Sequence, residues 1–228
     1  MDKITQQVNN KAKGITLGLL IAIILFLVTV FIFWRITDEI VLEKEGGFDD
    51  GVYKMLSHYT NSATTHTMLL FTFFGSTKFL LPAYVLLAGF FLFYKRNRWQ
   101  SISIAAIGLS SIGLLYLLKN IFQRHRPLEP LTKNVIGYSY PSGHSFSSFT
   151  FFGLLTYIIW QTNISKIWKW ILSFVFIGMA ACIAISRVYL HVHFASDVIA
   201  GFCLSIIWLS ISLLILKKIQ NTGKLRGV

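Results

Sequence analysis

The chain has 228 residues, 54% of them hydrophobic and only 13% charged, with a formal net charge of +12. Soluble domains carry about a quarter of their residues charged, so this composition excludes an ordinary soluble fold and points to a chain that crosses a membrane repeatedly. The basic residues are dispersed between apolar runs and form no stripe, which excludes nucleic acid as the partner of the positive charge.

Six uncharged runs of 16 to 21 residues follow one another: Gly14 to Trp34, Phe79 to Tyr94, Ser101 to Leu118, Ser145 to Ser165, Trp170 to Ser186 and Val198 to Leu216. At about 1.5 Å per residue each approaches a hydrocarbon core of about 30 Å, the shorter ones with help from flanking residues. They predict an all-α, six-transmembrane-helix bundle with spans at about 14–34, 78–95, 101–119, 145–165, 170–186 and 197–216. The first run is too long for a signal h-region and lacks a small-x-small cleavage site, so it reads as a signal anchor that stays. Internal repeats and a soluble appendage are absent, so residues 1–228 read as a single integral-membrane domain. Cys182 and Cys203 both fall inside spans and read as small core residues.

Lys3, Lys11 and Lys13 precede the first span, Lys95, Arg96 and Arg98 join the second to the third, Lys166 and Lys169 join the fourth to the fifth, and Lys217, Lys218, Lys224 and Arg226 follow the sixth. These twelve cations have only Asp2 beside them, whereas the alternate segments hold nine Lys/Arg and eight acids. The positive-inside rule puts both termini in the cytoplasm, in a multi-pass protein of the cell membrane. The acids Asp38, Glu39, Glu43, Glu45, Asp49 and Asp50, between the first two spans, fit the outer side. Later in that segment His66 to Phe74 is apolar but is interrupted by Gly75-Ser76-Thr77-Lys78, which predicts an interfacial or re-entrant piece.

Three polar stretches remain, all at the outer ends of spans. Lys119 and Arg126 stand seven apart before Pro127; a helix stops near the residue before a proline, and if it persists that far the two cations share a face. Pro141-Ser142-Gly143-His144 begins the fourth span, where free backbone N–H groups and a positive dipole end make an anion site that Gly143 lets the backbone approach. Ser186-Arg187 through His193 to Asp197 joins the last two spans, and Asp197 lies one turn from His193 if the helix has begun there. Three cations, a helix N-terminus and two imidazoles, one backed by a carboxylate, are what phosphoryl transfer requires.

On these residues the sequence resembles the type 2 phosphatidic acid phosphatase family. That family's signature is a Lys, six residues, Arg-Pro; then Pro-Ser-Gly-His; then Ser-Arg, five residues, His, three residues, Asp. Here it stands as Lys119 to Pro127, Pro141 to His144 and Ser186 to Asp197, with every spacing intact. The resemblance implies a lipid phosphatase that works without metal or other cofactor, through a phosphohistidine. His193 would be the nucleophile, Asp197 its orienting carboxylate and His144 the general acid, while Lys119, Arg126, Ser142, Gly143 and Arg187 would hold the phosphoryl group. His191 stands six residues from Asp197 and off its helical face, which favours His193. The expected partners are a membrane lipid phosphate and the bilayer, with no obligate protein partner.

Other readings compete. His191, His193, Asp197, His144 and Glu129 offer metal ligands, against which three fixed cations in one pocket argue. A transporter would carry its charges near the midplane and show repeated halves, and here the polar set is terminal. A phosphotransferase passing the group to a lipid hydroxyl shares the whole machinery. Among substrates, the family suggests undecaprenyl diphosphate, recycled to undecaprenyl phosphate for cell-wall synthesis, with phosphatidylglycerophosphate or phosphatidic acid next.

Overall fold

A computed structural model describes residues 2–42, 46–132 and 135–225, with side chains placed at 19–39, 46–132 and 135–222. Glu43 and Glu45 lie outside the described residues, as does Arg226, and the side chains of Lys3, Lys11, Lys13 and Lys224 lie outside those placed. The described residues are helical without strands. In order they form α1 (Asp2–Ile36) with a π-helical turn over Thr37–Leu42, α2 (Gly47–Ser57), α3 (Ser62–Phe74), α4 (Thr77–Gly89) with a π-helical turn over Phe90–Tyr94, and α5 (Arg98–Phe122). After a loop come α6 (Gly143–Trp160), α7 (Lys166–Tyr189) and α8 (Ala195–Leu225).

Helix α6 is the axis of the bundle. It packs against α7 and α8, α1 leans on α8, α4 pairs with α5, and α3 lies along α7. Phe151 and Phe152 of α6 close on Leu80, Ala180 and Ile183, while Leu154 and Ile158 close on Phe91, Ile104 and Ile107. The outer faces of the surrounding helices carry bare apolar side chains, among them Leu25, Leu86, Leu109 and Phe174, as helices in contact with lipid must. Both cysteines are free.

Five helical stretches among the described residues are long and apolar enough to cross a membrane: Leu19–Glu39, Ser62–Tyr94, Arg98–Phe122, Lys166–Tyr189 and Ala195–Thr222. The expected fourth span is α6, which is not among them. Its first turns hold Ser145, Ser148 and Thr150, all fully buried, and hydroxyls lower hydropathy even where they face the protein interior. The stretch from His66 to Phe74 belongs to α3, which α4 follows across Gly75-Ser76, and Ser62–Tyr94 as a whole is a 33-residue helical stretch long and apolar enough to cross a membrane. A side chain on Gly75 would meet Ile183 Cγ2 at 2.4 Å and Ser148 Oγ at 3.0 Å, so at the break the chain packs directly against side chains of α7 and α6.

Two further expectations change locally. Helix α5 ends at Phe122 because Gln123 takes the left-handed conformation (φ 46°), so Lys119 is helical and Arg126 is not. Helix α8 begins at Ala195, after His193, and Asp197 folds back to accept a hydrogen bond from the Phe194 N–H at 2.9 Å, the acidic half of a capping box.

Candidate active site

The three motifs meet at one end of the bundle. The backbone N–H of Ser142 donates to the Asp197 carbonyl at 3.0 Å, and the Ser145 hydroxyl donates to the Val198 carbonyl at 2.8 Å, which docks the start of α6 on the start of α8. Gly201 makes that approach possible: a Cβ there would stand 2.8 Å from the Ser142 carbonyl oxygen. Ser142 is fully buried, and its hydroxyl faces the Ser145 N–H as the helix cap.

His193 is 2% exposed and its two nitrogens face different groups. Nδ1 lies 3.4 Å from Asp197 Oδ2, and Nε2 lies 3.2 Å from Arg126 Nη1. A guanidinium only donates, so Nε2 is the bare, accepting nitrogen and the ring proton belongs on Nδ1, toward the carboxylate. Burial pushes His193 down to about 4, against Asp197, whose hydrogen bond and charge favour the protonated ring.

The cations are held by the backbone. Arg126 donates from Nη1 to the Val192 carbonyl at 2.8 Å and from Nε to the Gly137 carbonyl at 2.8 Å. Lys119 Nζ donates to the Tyr138 carbonyl, and Arg187 Nη1 donates to the Thr72 hydroxyl. Arg187 Nε is buried and has no hydrogen-bond partner among the described residues. Lys119, Arg126, Arg187 and His193 all stand near enough to His144 to act on it electrostatically. His144 and Gly143 in turn line a cavity of about 420 Å³ that continues past Thr77, Tyr84 and Ala88 on α4 and Gly108 and Ile112 on α5.

His191 is turned away from the other motif residues. Its ring stacks on Tyr53, centroids 3.6 Å apart, and Nδ1 approaches the Glu129 carbonyl oxygen at 3.3 Å. The larger novelty lies behind Asp197. Arg124 Nη1 donates to Asp197 Oδ1 at 2.6 Å, and its Nη2 donates to Asp49 Oδ2 at 2.8 Å. The Ser139 hydroxyl donates to Asp197 Oδ2, and Ser196 donates to Asp49 from both its N–H and its hydroxyl. None of Arg124, Ser139, Ser196 or Asp49 belongs to the three motifs; the alternation Arg124-His125-Arg126 is the one local sign that two cations leave α5 together.

Comparison with known proteins bears on the family and the fold. The sequence pattern of the PAP2 superfamily matches residues 99–221, more than half of the chain. Phosphatidylglycerophosphatase B of Bacillus subtilis is 31% identical over 140 residues, covering 60% of this chain and 67% of that protein. Undecaprenyl-diphosphatase of Sulfolobus acidocaldarius is 29% identical over 196 residues, covering 82% and 85%. Among solved structures, the transmembrane PAP2-type phosphatidylglycerolphosphate phosphatase of Bacillus subtilis superposes with a TM-score of 0.77 at 24% identity, over 85% of this chain and 96% of that one. With the fold, the motif residues gathered at one end and the family pattern in agreement, this chain belongs to the PAP2 superfamily and is a lipid phosphate hydrolase.

Proposed function

We propose that the chain hydrolyses a polyprenyl diphosphate, undecaprenyl diphosphate to undecaprenyl phosphate and phosphate, through a phosphohistidine on His193. The carrying observation is the pair of faces on His193: Nε2 beside Arg126 and Nδ1 toward Asp197. Nε2 attacks the terminal phosphorus while Lys119, Arg126, Arg187 and the backbone N–H groups at Gly143 take up the charge on its oxygens. The bond from phosphorus to the bridging oxygen breaks, and His144 delivers a proton to that oxygen. His144 then accepts a proton from the water that attacks phosphorus, the P–N bond breaks, and phosphate leaves.

The lipid part of the reading is supported by the cavity. From Thr77 to Ala88 its α4 wall extends about 16 Å along the helix, with His144 and Gly143 at one end and mostly apolar side chains beyond. A prenyl or acyl tail lying there brings its phosphate to the imidazole. On the same reading α6 also crosses the membrane, as the fourth of six spans, both termini are cytoplasmic, and the site opens on the outer face.

Phosphate release by the purified enzyme from undecaprenyl diphosphate, phosphatidylglycerophosphate and phosphatidic acid tests the substrate. The diphosphate is expected to have the highest kcat/KM. A higher value for phosphatidylglycerophosphate moves the assignment to that lipid. Reaction in ¹⁸O-water separates hydrolysis, which puts one solvent oxygen into the released phosphate, from transfer to a lipid hydroxyl, which puts in none.

A further inference from the structure

The residues behind Asp197 carry an inference that rests on His193 being the nucleophile. Asp197 is fully buried and its two oxygens serve different partners: Oδ1 accepts from Arg124, and Oδ2 faces His193 and accepts from Ser139 and Phe194. Arg124 is fixed in place, with its guanidinium carbon 4.1 Å from the Phe194 ring centroid and Nη1 also donating to the Ser196 hydroxyl at 2.8 Å. Its other nitrogen goes to Asp49, which is 3% exposed and is the one buried residue of α2. Asp49 also takes the Ser196 N–H at 2.8 Å and the Ser196 hydroxyl at 2.6 Å.

A carboxylate is rarely buried this completely unless it is paired, and a helix lying on the surface of a bundle can be anchored by apolar residues alone. The charges show what the pairing achieves. Arg124 and Asp197 alone would be neutral together, leaving little net negative charge for the positive ring that His193 becomes when Nε2 bonds to phosphorus. Two carboxylates on one guanidinium leave the cluster at net −1, beside Nδ1. We propose that Asp49, acting through Arg124, is a positioning residue for the phosphoryl transfer: it shares the guanidinium so that Asp197 stays oriented on His193 and keeps its charge for the imidazolium.

The test uses the full-length enzyme in detergent. Asp49→Asn keeps an acceptor oxygen for Ser196 and removes the charge. It should lower kcat by about 10- to 100-fold, the range of coupling within one hydrogen-bonded network, while KM stays within about twofold because the phosphate-binding cations are untouched. Arg124→Gln should also lower kcat, and adding Asp49→Asn to it should cost nothing more, since Asp49 acts through Arg124. Wild-type kcat in Asp49→Asn, a change confined to KM, or a double variant in which the two losses multiply overturns the proposal. If Asp49→Asn does not purify folded, Arg124→Lys replaces it: an ammonium lacks the planar fork by which Nη1 and Nη2 reach Asp197 and Asp49 separately, so kcat should fall with KM retained, and an unchanged kcat overturns the proposal equally. Rapid-quench trapping of an acid-labile phosphoenzyme separates the two levels. If the wild type forms none that His193→Ala abolishes, the nucleophile assignment fails and this inference falls with it. A phosphoenzyme formed as fast in Asp49→Asn as in the wild type removes Asp49 alone.

Discussion

Removing the His193 imidazole and removing that of His144 should fail in different ways. On the phosphohistidine reading, His193→Ala leaves no nitrogen to bond phosphorus. His144→Ala leaves attack possible but an unprotonated leaving oxygen, a loss of roughly 10² to 10⁴. On a nitrophenyl phosphate, whose leaving group is already acidic, His144→Ala should recover most of that loss and His193→Ala none; equal damage on both substrates removes His144 from the acid role. The pH dependence belongs to the same residue scale. A free histidine titrates near about 6.5, whereas burial holds His193 at about 4. The ring is therefore neutral and nucleophilic at about pH 5, and the enzyme's own acid limb in kcat/KM should lie well below about 6.5. Comparing substrates with different phosphate ionisation identifies that limb as the one that does not move with substrate. Between those two values the unfolded chain binds a proton that the folded chain refuses, so this group's contribution to stability is intact above about pH 6.5 and is lost as pH falls toward 4. The motif residues were legible because their spacing is local: six residues lie between Lys119 and Arg126, and three between His193 and Asp197. Asp49 was counted only as one outer acid among six, because its partner Arg124 is 75 positions away and nothing local announces the pair.

Between elements, the decisive contact is α6 on α8. The Cβ of Gly201→Ala would press on the Ser142 carbonyl at 2.8 Å, on Ser145 Cβ at 3.0 Å and on the Phe146 nitrogen at 3.1 Å, most of which is backbone and cannot give. Overpacking of this kind costs about 1–3 kcal/mol, and a shift of about 1 Å at a catalytic group costs on the order of 10²-fold in rate. Gly201→Ala should therefore lower both the melting temperature and kcat. Gly178→Ala, with nothing within 4 Å of its new Cβ, should do neither. The helices themselves were legible from the apolar runs, but their ends were not. Proline at 127 predicted a stop near Arg126, and the left-handed Gln123 stops α5 earlier and releases Arg124 toward Asp197 and Asp49. Likewise the sequence shows the interruption at Gly75-Ser76 but not what it packs against, because Ile183 of α7 is a tertiary contact that sequence order does not contain.

At the scale of the whole molecule, the proposed outward-facing site has a topological consequence that labelling can check. If the twelve cations flanking alternate spans lie inside, Thr132 is outside and Asn97 inside. With Cys182 and Cys203 changed to Ser, Thr132→Cys should react with an impermeant maleimide in intact cells, and Asn97→Cys only after the membrane is opened. The reverse pattern would move the substrate to the inner leaflet and leave the phosphatase chemistry as it stands. The buried hydroxyls of α6 bear on how such a molecule is made. Ser145, Ser148 and Thr150 are shielded from lipid by neighbouring helices, of which α7 and α8 are synthesised after α6. Only the five residues from Gln161 to Ser165 separate α6 from α7. On the six-span reading the two helices form a tight hairpin, so the hydroxyl-bearing face next to His144 is fully covered only once the helix that carries Arg187 has been made.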